Sequence, residues 1–469
     1  MRNSLLVVLV ALAGCAVGPD YVRPQIEAPA QYKELQGWRP AEPRDALPRG
    51  AWWSVFGDAE LDSLLSRVDL SNLNIRAAEA RFRQARALAD QARAGLFPAV
   101  NANASATRSK SPSLPNQPSF AIGAVNNYNV ALNTSWELDL WGRVRRSVEA
   151  GEASWQASAA DLEAARLSAR AALAQNYFAL RVADADRRLL EDTVAAYERT
   201  LQLTRNRYAA GVVARVDVVQ AEVQWKSAQA QLVDIGVNRA QLEHAIALLV
   251  GQAPAEFSIA PAPLAATLPR IPVVLPSELL ERRPDIATAE RNMAAANARI
   301  GVAQAAFFPT ITLSGAVGFR STIAADLLST PSRFWSLGGA LAQGVFDAGL
   351  RQAQKDQAIA AYDEDVAAYR QTVLTAFQEV EDNLAALRIL EEESQLQDEV
   401  VQAARHAVEL TTNQYQAGVV SYLNVIAAQT TLLTNERAAE SVRGRRLTAS
   451  VALVKASGGG WSAQSLPRR

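Results

Sequence analysis

The residues of this chain that could take part in chemistry are few and far apart. The sequence has two histidines and one cysteine, which are His244, His406 and Cys15. Both histidines lie within predicted helices, and the sequence has no glycine-rich phosphate loop and no Cys/His cluster with the spacing of metal ligands. Because catalysis needs a nucleophile, an acid–base pair or a metal site, the sequence predicts that the protein is not an enzyme and uses no metal or cofactor.

Cys15 has a different significance, because it ends the N-terminal sequence MRNSLLVVLVALAGC. Arg2 precedes an apolar run, and small residues before a cysteine are typical of the site where bacterial lipoprotein precursors are cleaved. We therefore predict a signal peptide over residues 1–14 and lipid attachment to Cys15, with an ordinary secretory signal as the alternative. The next residue is Ala16 and not an aspartate, which favours transport of the lipoprotein to the outer membrane.

The composition excludes several other classes of protein. Charged residues make up 20% and aromatic residues 7% of a chain rich in Ala, Leu, Gln and Arg, which favours long helices. A net charge of −1 gives no sign of nucleic-acid binding. No apolar run of about 18 residues follows the N-terminus, so no membrane-spanning helix is predicted.

One phrase occurs twice in the chain, at a spacing of 207 residues. RYAAGVVARVDVV begins at Arg207, and QYQAGVVSYLNVI begins at Gln414. Other pairs recur at this spacing, or at 211 nearer the start of each half: Gly142 and Gly349, Gly251 and Gly458, Phe97-Pro98 and Phe308-Pro309. The chain therefore contains a duplicated domain, and a Pro/Ser-rich stretch between Pro98 and Gly142 absorbs the difference in spacing.

The duplication predicts the organisation of the chain. The predicted parts are a lipidated extended N-terminal segment (15–58), a first repeat (59–251), a Pro-rich linker (252–276), a second repeat (277–458) and a C-terminal tail (459–469). Each repeat contains a helix, two strands, a long helix, a tip and a return helix.

Proline-free stretches over 140–209 and 350–417 predict very long helices, each spanning about 100 Å. Such helices need neighbours along their length, and return helices over 216–250 and 423–457 supply them. Gly211 and Gly418 end the long helices, so the repeated phrase is the turn of a helical hairpin. Shorter helices are predicted over 59–96 and 276–307, where each Phe-Pro pair ends one.

Between these helices, four segments alternate polar and apolar residues: 100–107, 128–138, 311–319 and, less regularly, 335–345. Strands of about ten residues fit a transmembrane barrel, and a soluble sandwich is the alternative. Four strands cannot close a barrel, and an open sheet edge cannot lie in lipid. The predicted fold class is therefore mainly α-helical with a membrane β-barrel, in which three chains would supply twelve strands.

At this point the whole mature chain resembles the TolC-like outer-membrane efflux proteins, in the lipoprotein (NodT-type) branch that serves resistance-nodulation-division drug pumps. The resemblance rests on the sequence CAVGPDY from Cys15, on the two Phe-Pro pairs and on the paired Tyr-x-x-Gly-Val tips, and it covers residues 15–460. It implies a homotrimer with a barrel in the outer membrane and a periplasmic tunnel of α-hairpins. It also implies a role in exporting drugs or other small toxic compounds, together with a periplasmic adaptor (membrane fusion) protein and an inner-membrane pump.

The resemblance further implies roles for the tip residues. The positions that meet the adaptor correspond to Gly211, Val212, Gly418 and Val419. The positions of the periplasmic gate correspond to Asp217, Tyr415 and Asn424. Val420 stands where the best-known relatives have an arginine, and Asn424 and Ala427 stand where many have aspartates, so we expect weaker closing contacts and a less acidic pore mouth.

Alternatives remain for these residues and for the whole protein. Asp217 suits an N-cap of the return helix, and Tyr415 suits packing between helices. A conduit for protein secretion or a lipidated coiled-coil scaffold would also contain long helices. The lipid anchor favours drug efflux over secretion, and a scaffold does not explain four alternating strands.

Overall fold

The computed structural model describes residues 16–24, 28–35, 51–110, 123–264, 268–269 and 276–467. The predicted signal peptide and Cys15 lie outside the described residues, as do parts of the predicted N-terminal segment, linker and tail. The elements of the first half are α1 (Ala59–Ser71), α2 (Leu73–Ala94), β1 (Ala99–Ser109), β2 (Val125–Leu138), α3 (Arg143–Ala209) and α4 (Arg215–Leu249). Those of the second half are α5 (Pro276–Arg282), α6 (Pro284–Ala305), β3 (Thr310–Ser321), β4 (Arg333–Ala342), α7 (Leu350–Gln416) and α8 (Tyr422–Ala456). Short 3₁₀ turns cover Trp52–Phe56, Pro254–Glu256, Ala324–Asp326, Thr330–Ser332 and Ala463–Ser465.

The two predicted shorter helices are each divided in two, which the sequence analysis missed. The first breaks at Asn72, whose side chain accepts hydrogen bonds from the N–H groups of Asn74 (2.9 Å) and Ile75 (3.1 Å) and so caps α2. The second breaks at Arg283, because Pro284 suits the first position of a helix and biases the preceding residue away from helical geometry.

At each break, a side chain bonds the end of the return helix of the same repeat. Asn72 Nδ2 donates to the carbonyl of Leu249 (2.8 Å), and Arg283 Nη1 donates to the carbonyl of Ala456 (3.2 Å). Helices end with unpaired carbonyl groups, so both bonds satisfy acceptors that the helix itself leaves free. Each repeat therefore has a joint of the same type between its divided helix and its return helix, but the two joints use different side chains.

The four strands form one antiparallel sheet in the order β1-β2-β3-β4. Adjacent rows across the sheet alternate in character: Asn101, Asn133, Ala316 and Ser336, followed by Ala102, Leu132, Val317 and Trp335. Leu132, Val317 and Trp335 are exposed, so no described part of the chain covers the apolar face. A soluble sandwich would bury this face, so its exposure argues against that alternative.

The bounds of the strands follow their pairing more closely than their polar–apolar pattern. β2 begins at Val125, before the predicted start, because it pairs with Ser109 at the end of β1. β4 covers Arg333–Ala342, not 335–345, because its partner β3 extends only from Thr310 to Ser321. Within the described residues, β1 and β4 each have one unpaired edge.

The long helices α3 and α7 each contain 67 residues, and the return helices α4 and α8 each contain 35. α3 begins three residues after the predicted start, because Gly142 has a positive φ of 79° and Asp139 accepts hydrogen bonds from the N–H groups of Val144 and Arg145. Among the described residues, no helix is both long and apolar enough to cross a membrane.

The chain divides into two compact units, and each contains parts of both repeats. The described residues within Met1–Gln25, Phe82–Ser158 and Ala289–Tyr369 form one unit, and those within Ile26–Arg81, Ala159–Thr288 and Arg370–Arg469 form the other. The first unit contains the sheet and small helix-packing residues such as Ala153, Ala294 and Ala295. The second contains both hairpin tips and a buried aromatic group around Trp52, Phe56 and Phe178.

Candidate functional site at the two hairpin tips

Both hairpin tips have the same backbone geometry. In the first, Val212 N–H donates to the carbonyl of Arg207 and Gly211 N–H donates to that of Tyr208, both at 2.9 Å. In the second, the equivalent bonds join Val419 to Gln414 (2.9 Å) and Gly418 to Tyr415 (3.0 Å). These bonds form the Schellman motif that ends a helix at a left-handed residue. Gly211 and Gly418 have φ values of 71° and 78°, so the prediction that glycine ends each long helix is confirmed.

The predicted adaptor-contact residues lie on the surface of these turns. Val212 is 61% exposed and Val419 is 72% exposed. A Cβ atom added to Gly211 or Gly418 would meet no other atom within 4 Å. Each tip therefore presents an apolar side chain beside open space, and its glycine is needed for the turn and not for packing within the chain.

A small apolar core lies directly behind the turns. Its buried residues come from both hairpins, and we call this group the tip cluster: Leu201, Ala221, Tyr415, Tyr422 and Val425. Val420 is one of the partly buried residues that pack against it. Val420 therefore makes an apolar contact at this tip.

Tyr415 is a central member of the tip cluster. Its side chain is 3% exposed, its ring centroid lies 5.4 Å from that of Tyr422, and its hydroxyl has no hydrogen-bond partner within the described residues. The equivalent residue of the first tip, Tyr208, is 46% exposed. Within one chain, Tyr415 therefore packs between helices, which was the alternative to a gate residue.

Asp217 is not the N-cap of the return helix, so that alternative is wrong. The N-cap is Ala214, and Asp217 is the third residue of α4, where its N–H donates to the carbonyl of Ala214 (3.1 Å). A carboxylate in the first turn is favoured by the helix dipole without acting as a cap. Asp217 also influences Tyr422, because burial, then the charges of Tyr415, Tyr197 and Asp217, raise the pKa of the Tyr422 hydroxyl.

The third predicted gate residue, Asn424, lies on the surface of α8 near its start. Its side chain is exposed, and its N–H donates to the carbonyl of Ser421 (3.2 Å). Ala427, one turn further along, is also exposed. The structure therefore brings Tyr415 into the tip cluster, holds Asp217 near Tyr422 and leaves Asn424 facing away from the cluster.

Arg207 contributes to the site, although the sequence analysis assigned it no role. Its guanidinium carbon lies 4.7 Å from the centroid of the Tyr415 ring, and its Nη1 donates to the carbonyls of Tyr415 (3.1 Å) and Gln416 (3.3 Å). The repeat offered no signal for this contact, because the equivalent of Arg207 in the second tip is Gln414. A contact between residues about two hundred positions apart is visible only once the hairpins are placed side by side.

The described residues include a sheet with an exposed apolar face and two unpaired edges, and also paired helical hairpins, and this combination defines a channel subunit of the outer-membrane type. Residues 64–252 and 275–459 match the family described as outer membrane efflux protein. The chain belongs to this family.

Similar proteins include the pyoverdine export outer membrane protein OpmQ of Pseudomonas aeruginosa, which is 33% identical over 477 residues, covering 100% of this chain and 99% of OpmQ. The solved structure of the outer-membrane channel OprN has a TM-score of 0.88 and 33% identity, and the match covers 95% of this chain and 100% of that one. The MtrE outer membrane channel of Neisseria gonorrhoeae, solved in its open state, has a TM-score of 0.84 and 30% identity, with 96% and 99% covered.

These likenesses confirm the predicted family, fold class and general function. The chain is mainly helical, contributes four strands, and has the architecture of the trimeric outer-membrane efflux channels. Its function is the outer-membrane step of efflux.

Proposed function

We propose that three copies of this chain form the outer-membrane channel of a tripartite pump, which carries drugs or other small toxic compounds from the periplasm to the exterior. The sheet supports this most directly, because its two edges are unpaired within the described residues and need partner strands, and its exposed apolar face needs lipid. The name of OpmQ, a relative along the whole chain, states export of a small molecule. Transport, and not catalysis, is the activity that these features support.

Deletion of the gene tests this function in the native host. Cells without the protein should accumulate more of an exported dye or drug, and a plasmid copy should restore the wild-type level. Unchanged accumulation of every compound in a broad panel would contradict the proposal. Crosslinking of the purified protein in detergent should give a ladder that ends at three chains, whereas a monodisperse monomer with full strand content would exclude the trimer.

We also assign the predicted lipid anchor to Cys15, which lies outside the described residues. The segment that follows it is held on the unit that contains the sheet. Val17 N–H donates to the carbonyl of Trp141 (3.0 Å), and Ala16 lies so close to Gly142 that a Cβ there would clash with it. Trp141 and Gly142 follow β2, so this segment would hold a lipid on residue 15 near the helix-proximal end of the sheet, where an acyl chain can enter the bilayer.

Replacement of Cys15 tests the lipid anchor independently of the barrel. Cys15→Ser should remove incorporation of labelled palmitate, yet the protein should stay in the outer-membrane fraction, because a closed barrel is held by its whole apolar band. If the variant were found free in the periplasm, the sheet would not be the membrane-embedded part.

The two tips are assigned to the adaptor and the inner-membrane pump assembly. Gly211, Gly418 and the exposed valines Val212 and Val419 give each tip an apolar end on a turn that is fixed by its own hydrogen bonds. A bulky residue in place of either glycine should reduce drug resistance while trimers still assemble.

Charged substitutions at the valines test the same contact without altering the turn. Val212→Glu and Val419→Glu should reduce drug resistance and adaptor crosslinking, whereas Val22→Glu, at a similarly exposed valine outside the hairpins, should not. Equal resistance in all three variants would exclude the tips as the adaptor contact.

Asp217, Tyr415 and Asn424 are assigned to the gate that closes the periplasmic end. Tyr415 has a buried hydroxyl without a partner in the described residues, and the charge of Asp217, on the other hairpin, acts on Tyr422, whose ring lies beside that of Tyr415. Because this hydroxyl is buried in the single chain, a carboxylate of a neighbouring copy reaches it only if closure of the trimer repositions the tip. Asp217→Ala should then raise the conductance of purified channels in lipid bilayers, and unchanged conductance would exclude Asp217 from the gate.

A further inference from the structure

We infer that Arg207 is a positioning residue of the closed channel, which holds the second hairpin tip against the first through the ring and the carbonyl groups at the end of α7. This inference rests on the proposed function, because it adds a cation to the three residues assigned to the gate, Asp217, Tyr415 and Asn424. In the second tip, the side chain two residues after the turn glycine is Val420, which packs against the tip cluster.

The geometry of Arg207 matches a guanidinium that recognises a helix end. α7 ends at Gln416, so the carbonyls of Tyr415 and Gln416 belong to its last turn, and that of Tyr415 also accepts the N–H of Gly418 in the turn. Arg207 Nη1 lies 3.1 Å and 3.3 Å from these two oxygens. A positive charge is favoured at a helix C-terminus, where the helix dipole is negative.

The same side chain also covers the aromatic ring of Tyr415, with its guanidinium carbon 4.7 Å from the ring centroid. Planar stacking and hydrogen bonding are combined in arginine and not in lysine. Arg207 lies in the last turn of α3, on the first hairpin, so these contacts join two hairpins that are distant in sequence. Their combined effect is to fix both the ring and the backbone of Tyr415, which is the buried residue assigned to the gate.

The contact is directional between the two repeats. Gln414, the equivalent of Arg207, carries no charge, so the second hairpin cannot return the same contact to the first. In a closed ring of three chains, this type of contact would occur once in each chain, from the first hairpin to the second and not in the reverse direction. If the channel opens by moving the second tip away from the first, the Arg207 contact must break. If it opens by moving both hairpins of a chain together, the Arg207 contact stays intact.

Channel recordings on the purified trimer in planar bilayers test this role. Arg207→Gln should raise the ratio of open to closed time about tenfold, as expected for the loss of hydrogen bonds from a charged donor. Arg207→Lys should give an intermediate ratio, since it keeps the charge but not the planar group. The matched control is Arg205→Gln on the same helix, whose side chain faces Glu222 at 4.0 Å and should leave the ratio unchanged.

A double-mutant comparison separates a positioning role from a general loss of stability. Tyr415→Leu should raise the open ratio by itself, and Arg207→Gln should have a smaller effect in that background, because the ring contact is already lost while the two carbonyl contacts remain. The heat stability of the trimer on gels should be the same in Arg207→Gln and Arg205→Gln.

The outcomes distinguish this inference from the proposed gate. If Tyr415→Leu opens the channel and Arg207→Gln does not, the gate stands and the role of Arg207 is wrong. Equal effects of Arg207→Gln in the presence and absence of Tyr415 would also overturn it. If neither Tyr415→Leu nor Asp217→Ala changes the recordings, the gate assignment itself fails.

Discussion

The two hairpin tips share a backbone but place their tyrosines in different surroundings. Tyr208 and Tyr415 occupy equivalent positions of the same Schellman turn, yet Tyr208 is largely exposed and Tyr415 is buried in the tip cluster. The position of Asp217 in the first tip is occupied by Asn424 in the second. The duplication has therefore kept the turn and divided the side-chain roles, with the buried ring on one hairpin and the acid on the other.

A similar division occurs where each repeat holds an extended segment of the chain. Arg181 is 2% exposed and donates to Asp184 (2.9 Å) and to the carbonyl of Ala260 in the linker (2.8 Å). Its equivalent, Arg388, has a side chain that is 39% exposed and pairs with Glu34 of the N-terminal segment (2.8 Å). Equivalent arginines thus hold different segments, one in a buried network and the other near the surface.

The largest expected effect comes from the glycines that follow the return helices. A Cβ on Gly458 would lie 2.1 Å from the carbonyl oxygen of Arg282, in a backbone whose φ is 89°. Because the clash is with backbone, Gly458→Ala should prevent recovery of folded trimer from membranes. Gly418→Ala has the same type of φ but meets no atom, so it should cost only about 1–2 kcal/mol and still give trimer. Equal yields of the two variants would show that the joint is not under steric control.

The second-largest expected effect is a difference in stability between variants of the buried Arg181 and of the more exposed Arg388. Arg181→Met should lower stability by about 3 kcal/mol, because it removes the donor to the linker carbonyl and one of the two arginines that pair with the buried Asp184. Arg388→Met should cost less than about 1 kcal/mol, since the ion pair that it removes is partly exposed. The melting temperature of the purified trimer measures both. A larger fall in melting temperature for Arg388→Met than for Arg181→Met would contradict the assignment of the stronger contact to the first repeat.

Acidic substitutions at the second tip test where the narrow part of the channel lies. A ring of carboxylates around a threefold axis attracts cations, and Asn424→Asp with Ala427→Asp should raise cation selectivity and block by multivalent cations together. The unmodified channel should be weakly cation-selective. As a control, Asn413→Asp with Gln414→Glu adds the same charge on α7 of the same tip. An unchanged selectivity in the first variant would mean that these positions do not line the constriction.

The smallest expected effect is on the stability of the tip cluster. Tyr415→Phe removes a hydroxyl that has no partner within the described chain, so the melting temperature should change by less than the equivalent of about 0.5 kcal/mol. The same change should raise the conductance if the hydroxyl bonds a neighbouring copy in the closed state. A large loss of stability with unchanged conductance would assign Tyr415 to packing alone.

The sequence predicted the backbone of this protein better than its side-chain contacts. The spacing of the repeated phrase located both turns, because only glycine readily adopts the φ values that they need. The break at Asn72 was missed since the helical pattern continues on both sides, although Pro284 was a readable signal for the break at Arg283. The burial of Tyr415 and its contact with Arg207 depend on how two hairpins pack, and equivalent residues in a repeat do not have to share an environment.

The division of roles between the tips can be measured most directly by comparing Tyr208→Ala with Tyr415→Ala in bilayer recordings of trimers of equal purity. If the second tip carries the closing contacts, Tyr415→Ala should raise conductance severalfold, as expected for the loss of a buried aromatic contact, and Tyr208→Ala should match the unmodified channel. Equal increases in both variants, or an increase in Tyr208→Ala alone, would contradict the account.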